Sequence, residues 1–227
     1  MIPELQDYDR NDSRQLFLYS WHFELFAVKE SIEITKQTLH DRINQQGKLQ
    51  RDFARSDTYE GAKIHCDAMI KMQEYRNIEP IAYQSYLLTS YAIVEAALDR
   101  YCEICQERMK LKVKLDDFKD RGITRAVNYL EKCVEVENIK GDIKWSRMQL
   151  INDMRNDFIH RAGYPNQSKK INKYESELGI NTIDGKIYLS YEDIIRVYEY
   201  IEQFMEFAFT RKFTNERKIL KFSSREG

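Results

Sequence analysis

The sequence predicts an all-α fold, and three observations favour this class. The chain of 227 residues holds only 8 glycines and 3 prolines, which are too few for the many chain reversals of an all-β fold. Apolar residues make up 42% of the chain and charged residues 32%, a balance typical of a compact domain with a charged surface. Apolar positions also recur every three or four residues along most of the chain, which is the helical period. We therefore expect one large helical domain, or a helical domain with an extension.

Two helices are predicted in the N-terminal third of the chain. Asp12 and Ser13 mark the first helix start, and apolar side chains follow at mostly helical spacing until Gly47. These apolar positions are Leu16, Trp21, Phe23, Phe26, Ile32, Ile34, Leu39 and Ile43. A polar segment over residues 48–60 precedes a second helical run. We expect the two helices to form a hairpin that packs on the rest of the protein as an extension over residues 1–76.

A helical domain is predicted over residues 77–213. Pro80 suits the first turn of a long helix, and Asp142 can cap a later helix. That later helix is expected to stop at Gly163, because glycine suits the C′ position and the following Pro165 cannot continue a helix. The inward apolar positions of the long helix are Leu87, Tyr91, Val94, Leu98, Tyr101 and Cys105, and a shorter helix between the two carries Ile123, Val127, Leu130 and Val134.

A small β-hairpin and a final helix are predicted to close the domain. A lysine-rich loop follows Pro165, and Asp184-Gly185 between two short apolar runs is a strong signal for a two-residue hairpin turn. Ser190 and Asp193 then resemble a capping box that opens the last amphipathic helix. Residues 214–227 are expected to form a flexible tail. The predicted architecture is a helical bundle with one β-hairpin before the last helix.

Charge and hydropathy limit the partners and the compartment. Lysine and arginine number 36 against 37 aspartates and glutamates, so any contact with a polyanion must come from a local patch. The most apolar stretch, residues 86–98, is too short to span a bilayer. The first residues lack the features of a signal peptide. We therefore expect a cytoplasmic protein without a membrane partner.

The cysteines and histidines predict no metal site and no cofactor. The four cysteines, Cys66, Cys102, Cys105 and Cys133, are expected to be reduced thiols. Cys102 and Cys105 form a C-x-x-C pair, but it lies inside a helical pattern and has no further ligands at zinc spacing. Three of the four histidines have no partner at metal or triad spacing, and the chain has no Walker-type or G-x-S-x-G motif.

One short run carries residues suited to chemistry. Arg155-Asn156-Asp157-Phe158-Ile159-His160 is an R-N-x-x-x-H sequence in the last two turns of a predicted helix. At this point the sequence resembles the HEPN superfamily, whose members are α-helical bundles with an R-x(4–6)-H motif and usually a polar residue directly after the arginine. The order of helices around the motif, with a D-G hairpin and a final amphipathic helix, is also similar. The resemblance covers residues 80–213 and leaves the N-terminal hairpin unexplained.

The resemblance implies a metal-independent ribonuclease with Arg155, Asn156 and His160 at its active site. Attack of a ribose 2′-hydroxyl on the adjacent phosphate requires a proton acceptor, a cation and a donor for the leaving oxygen. An imidazole exchanges protons near neutral pH, which suits His160 for proton transfer. A guanidinium stays charged, which suits Arg155 for the phosphate. Asn156 lies one turn before His160, so its amide can hold the imidazole or touch a phosphate.

The resemblance also implies a homodimer, because HEPN motifs meet across a two-fold axis and so supply both an acid and a base. Tyr164 lies four residues after His160, whereas the subgroup regulated by nucleotide attachment has its tyrosine two residues after the histidine, which speaks against such regulation here. Glu95 and Asp157 are supporting candidates; Glu95 can pair with Arg155 or help to set His160, or it can simply face water. Four cations near the motif are candidates for RNA phosphates, with an ordinary solvated loop as the alternative: Arg161, Lys169, Lys170 and Lys173.

Three functions remain open from the sequence. The first is a HEPN-type endoribonuclease of the toxin or antiphage-defence kind, which acts on RNA and is restrained by an antitoxin, another regulatory protein or its own extra helices. The second is a catalytically silent HEPN scaffold, or a ligand-binding module that uses the same helices to dimerise. The third is an unrelated helical adaptor in which the motif is a chance match.

Overall fold

A computed structural model describes residues 13–211 and residue 214, with side chains from residue 20 onward. Within this part of the chain the fold is all-α, as predicted, with one two-stranded sheet. Short 3₁₀ and π-helical turns occupy Leu115–Asp117, Leu130–Val134 and Tyr174–Leu178. The main elements are α1 Ser13–Asp52, α2 Tyr59–Met109, α3 Gly122–Tyr129, α4 Ile143–Arg161, α5 Ser168–Lys173, β1 Thr182–Ile183, β2 Lys186–Ile187 and α6 Tyr191–Thr210.

The chain divides into two compact units. The first contains residues up to Phe26, Ser90–Asn152 and the residues from Glu199 onward, and the second contains Ala27–Thr89 and Asp153–Tyr198. This division differs from the predicted separation of residues 1–76 from 77–213. No helix break marks a boundary after residue 76, because α2 is continuous there; that separation stays a prediction.

Two predicted helix boundaries in the second unit are wrong. Helix α1 does not stop at Gly47 but continues to Asp52, and a glycine inside a helix costs only about 1 kcal/mol. A side chain at Gly47 would come no nearer than 3.8 Å to Met72 of α2, so the glycine is an ordinary packing position. Pro80 does not begin a helix, because it lies inside the 51-residue α2. The buried Tyr83 that follows shows that packing outweighs the local cost of proline.

The buried face of α1 is a narrower stripe than its apolar residues suggest. Trp21, Leu25, Val28, Ile32 and Leu39 are buried, and their spacing of four, three, four and seven residues follows one side of a helix. Three other apolar residues of α1 lie off this stripe and are exposed: Phe23, Phe26 and Ile34.

Aromatic side chains form much of the core of the first unit. The ring of Phe209 lies 4.8 Å from that of Tyr101 and 5.6 Å from that of Trp21. Cys102 and Cys105 are buried inside α2, as predicted for this pair. Burial raises the pKa of the Cys102 thiol far above its usual value, so this thiol is an inert core group.

The second unit pairs the end of α4 with the β-hairpin. Asp184 and Gly185 have φ angles of 52° and 76°, which are the left-handed values of the predicted two-residue turn. The amide of Ile187 donates to the carbonyl of Gly163 at 2.9 Å. The end of α4 differs from the prediction by one residue: Ala162 takes the left-handed C′ position with φ 52°. Gly163 follows it, and its amide donates to the carbonyl of Asp157, six residues earlier, at 3.0 Å, which is one residue more than the six-to-one bond of a Schellman motif spans.

The segment that follows α4 is helical rather than a loop. Residues Ser168–Lys173 form α5 and Tyr174–Leu178 continue as a π-helical turn, because Tyr174 and Leu178 are both buried and hold the segment in place. The predicted capping box of α6 is confirmed. The amide of Ser190 donates to Asp193 at 3.0 Å, and the amide of Asp193 donates to Ser190 Oγ at 3.1 Å.

The remaining predictions concern the two ends of the chain and the membrane. The predicted start at Asp12 and most of the tail lie outside the described residues, whereas Ser13 is helical. Of the predicted tail, residues 214–227, the structure describes Thr214, whose amide donates to the carbonyl of Glu135 at 2.7 Å. In the described part of the chain, no helix combines the length and the apolar character needed to cross a membrane.

Candidate functional site

The R-N-x-x-x-H run lies on the C-terminal half of α4, as predicted. Ile151, Met154 and Phe158 are buried on one side of this helix, and these positions fix the direction in which the motif faces. Arg155 is half-buried, and His160 is exposed one residue before the helix ends. The motif is therefore presented at the surface of the second unit by a helix whose other face is anchored.

A hydrogen bond joins the first two residues of the motif. Nη1 of Arg155 donates to Oδ1 of Asn156 at 2.9 Å. Among the described residues, the side-chain amide of Asn156 makes no other hydrogen bond. It therefore holds Arg155 and does not hold the imidazole of His160. Asn156 and His160 lie about 40° apart around the helix, and Arg155 lies about 140° from His160. The polar face thus offers one oriented guanidinium and one accessible imidazole.

Asp157 is a fully buried carboxylate with both oxygens occupied. Its side chain is 0% exposed; Oδ1 accepts from Nη1 of Arg161 at 2.8 Å and Oδ2 accepts from the hydroxyl of Tyr174 at 2.8 Å. Burial, and then the bond to Asp157, raise the pKa of Tyr174 far above its usual value, so the hydroxyl remains a donor. Asp157 therefore fastens α4 to the π-helical turn after α5 and orients Arg161.

The four predicted phosphate-binding cations are held differently. Arg161 pairs with Asp157, and Nζ of Lys170 lies 3.1 Å from Oδ2 of Asp153 on α4. Lys169 and Lys173 are exposed on α5, and among the described residues neither has an acidic partner within ion-pair distance. Two cations of the cluster are thus oriented by carboxylates of α4, and two are available to an anion.

Glu95 is a residue of α2 in the first unit, and its carboxylate lies beside the start of α3. A side chain placed on Gly122, the first residue of α3, would come within 2.5 Å of Oε1 of Glu95, so the carboxylate lies directly against this helix end. No side chain caps α3 at Arg121, and a negative charge is favourable at a helix N-terminus. This position gives Glu95 a structural role, and its predicted support of the motif stays a prediction.

The chemistry available at the motif is that of a cation beside a proton-transferring group. Within the described residues, no three His, Cys, Asp or Glu side chains gather in a way that could hold a metal ion. The guanidinium of Arg155 can donate two hydrogen bonds to a phosphate, and the exposed His160 can reach a bound substrate. The buried Asp157 is unsuited to proton transfer with a substrate, because its two oxygens are occupied inside the protein.

Tyr174 is the residue of this site that the sequence alone did not identify. It lies 17 residues after Asp157, in a segment rich in lysine and glutamate that reads as a loop. The one available signal was an aromatic residue in an otherwise charged segment, followed by Leu178 at helical spacing. Which acidic residue its hydroxyl reaches depends on tertiary packing.

Comparison with known proteins gives no family for the chain. No protein-family model, no curated protein and no solved structure matches it.

Proposed function

We propose that this protein is a metal-independent endoribonuclease of the HEPN type. The observation that carries the proposal is the placement of Arg155, Asn156 and His160 on the exposed side of α4, with the arginine bonded to Asn156 at 2.9 Å and the imidazole accessible. The guanidinium supplies the cation and the imidazole supplies the proton-transferring group that RNA cleavage by the substrate's own hydroxyl requires.

In the proposed reaction the ribose 2′-oxygen attacks the adjacent phosphorus. The bond from the 2′-oxygen to phosphorus forms, and the bond from phosphorus to the 5′-oxygen breaks. One imidazole takes the proton of the 2′-hydroxyl, and a second proton donor protonates the leaving 5′-oxygen. Arg155 stabilises the negative charge that develops on the phosphate oxygens. The products are a 2′,3′-cyclic phosphate and a free 5′-hydroxyl.

A single imidazole does not act as base and acid at the same instant, so we propose that two chains supply the site. An isologous dimer would bring each motif to the two-fold axis. The exposed Ile159, which lies between Arg155 and His160 on the helix surface, supports an interface there. Lys169 and Lys173 on α5 are the proposed contacts to RNA phosphates beyond the cut.

We place this activity in the cytoplasm, in a toxin or antiphage-defence role that a regulatory protein or antitoxin restrains. Purified wild type, His160→Ala and Arg155→Ala should be compared on a mixed-sequence RNA and on DNA of the same sequence. Each variant should lose at least ~100-fold in cleavage rate, the scale for removal of a general base or an oxyanion donor. DNA should stay intact, because it lacks the 2′-hydroxyl, and EDTA should not inhibit.

One observation favours the second candidate, a catalytically silent scaffold. Among the described residues His160 has no hydrogen-bond partner that orients its ring, whereas a catalytic imidazole is commonly oriented by a second group. The same cleavage assay, together with a comparison of bacterial growth during expression of each protein, separates the two functions. Identical behaviour of wild type and His160→Ala in both measurements would exclude the ribonuclease and favour the scaffold.

A further inference from the structure

A cavity lies in the second unit, and Phe158 of the motif-bearing helix α4 lines it. It encloses about 230 Å³, which is below the roughly 300–1,000 Å³ of sites for drug-sized ligands and suits one small group. One face of α2 forms one wall, and Phe158 of α4 and the strand β2 with the residues after it form the others. The lining residues are Asn77, Pro80, Ile81, Gln84, Phe158, Lys186, Ile187, Tyr188 and Leu189.

The cavity has an apolar floor and an exposed aromatic rim. Phe158, Ile187 and Leu189 are buried, whereas Ile81 is 64% and Tyr188 is 40% exposed at the mouth. Nζ of Lys186 lies 5.1 Å from the ring centre of Tyr188. An exposed aromatic ring with a cation over it can take a second flat ring by stacking and an anionic group beside it.

Polar groups of the lining are available for hydrogen bonds to a ligand. Within the part of the chain that the structure describes, the amide of Gln84 makes no hydrogen bond, and the amide of Asn77 uses only its oxygen, which accepts from Nε2 of Gln73 at 3.0 Å. Lys186 has no acidic partner among the described residues. An amide offers a donor and an acceptor side by side, which is the pattern found on the edge of a nucleobase.

We propose that this cavity binds one nucleobase of the RNA strand that is cleaved at α4, with Lys186 on a neighbouring phosphate. The inference rests on the proposed function, because it deepens the same site. Phe158 in the cavity and His160 in the motif are two residues apart on α4 and point about 200° apart around the helix. Exposed Tyr164 follows the helix end, and Nζ of Lys186 lies 5.6 Å from its ring centre, so a single strand has a surface to cross around the end of α4 from the motif to the cavity.

The first experiment measures binding without cleavage. In a His160→Ala background, labelled hexaribonucleotides of each single base, the same oligomer with one abasic position, and the four 5′-mononucleotides are titrated. Gln84→Ala, Tyr188→Leu and the cavity-filling Ile81→Trp should each weaken binding of the preferred oligomer at least ~10-fold, the scale of one base stack. Tyr59→Ala, an exposed tyrosine on α2 outside the cavity, is the matched control and should not change binding.

Salt dependence tests the role assigned to Lys186. Lys186→Ala should reduce the slope of log affinity against log salt concentration by about 0.7, which is the value for one phosphate contact of a single strand. Lys63→Ala removes an exposed lysine of α2 outside the cavity, and it should leave the slope unchanged. Thermal unfolding of every variant checks that the fold is intact.

The outcomes separate this inference from the proposed function. If the cavity variants bind and select bases like wild type while RNA cleavage proceeds, the cavity proposal is overturned and the ribonuclease stands. If the cavity variants lose binding but no RNA is ever cut, the base site stands and the ribonuclease fails. Equal affinity for a mononucleotide and a hexaribonucleotide would overturn the assignment to RNA in favour of a free nucleotide, and no binding of either would overturn the proposal altogether.

Discussion

The hydroxyl of Tyr174 donates a hydrogen bond of 2.8 Å to Oδ2 of Asp157, a carboxylate that has no exposed surface. The other oxygen of Asp157 accepts from Arg161 at 2.8 Å. These two bonds connect the end of α4 to the π-helical turn Tyr174–Leu178. The position of the motif-bearing helix end therefore depends on a residue that lies outside the motif.

We expect Tyr174→Phe to lower the free energy of unfolding by about 1–3 kcal/mol, because it leaves a buried carboxylate oxygen without its donor. Asp157→Ala should also lower this free energy by about 1–3 kcal/mol, because it leaves the buried hydroxyl of Tyr174 without its acceptor, whereas the exposed Arg161 is solvated by water. Urea unfolding of the purified variants measures both. Tyr59→Phe, at an exposed tyrosine, is the control and should stay within about 0.5 kcal/mol of wild type. A Tyr174→Phe protein as stable as the control would show that the bond contributes nothing.

The parts of the fold that the sequence predicted correctly depend on local chemistry. Asp184 and Gly185 accept left-handed backbone angles, and Ser190 and Asp193 satisfy each other's amides. These preferences act within four residues, so they are visible in the sequence. The motif was also placed correctly on α4, because the buried positions around it follow the helical period.

The parts that the sequence could not supply depend on tertiary contacts. Gly47 and Pro80 are local helix breakers that lie inside long helices, because packing of the flanking turns outweighs their cost. The pairing of Asp157 with Tyr174 and of Asp153 with Lys170 joins α4 to residues 17 positions further along the chain. Sequence spacing does not show which charges meet at such a distance.

Asp142 should contribute to stability in a pH-dependent way. The amide of Lys144 donates to Oδ1 of Asp142 at 2.9 Å at the start of α4, and this bond lowers the pKa of the carboxyl below its usual value. Since the folded-state pKa is the lower one, the contribution is present above the unfolded-state pKa and is lost as pH falls through the folded-state pKa.

We expect Asp142→Ala to lose about 1 kcal/mol at pH 7, the usual cost of removing an N-cap. Asp142→Asn keeps an acceptor but does not titrate, so the stability difference between wild type and Asp142→Asn should shrink as pH falls from 6 towards 3. Thermal unfolding at a series of pH values measures this difference. A difference that stays constant over the whole range would contradict a carboxylate cap.

Asn156 should act as a positioning residue for Arg155. Asn156→Ala removes the acceptor that holds Nη1 of Arg155, and a lost hydrogen bond of about 1 kcal/mol corresponds to a roughly fivefold loss in kcat/KM. Asn152→Ala, one turn earlier on the same helix face, is the matched control. If Asn156 instead touched the reacting phosphate itself, the loss should approach that of Arg155→Ala.

A composite site predicts that a chain without the imidazole inactivates its partner. A mixed dimer of wild type and His160→Ala holds one imidazole in the shared cleft, which supplies a base but no second proton donor. Refolding wild type with an excess of His160→Ala should therefore lower the RNA cleavage per wild-type chain, and light scattering should show a mass of two chains. Ile159→Glu, which introduces a charge at the proposed interface, should give monomers, and when it is combined with His160→Ala it should abolish this inhibition. If each chain carried a complete site of its own, the wild-type chains would cleave RNA at the same rate with and without the His160→Ala chain.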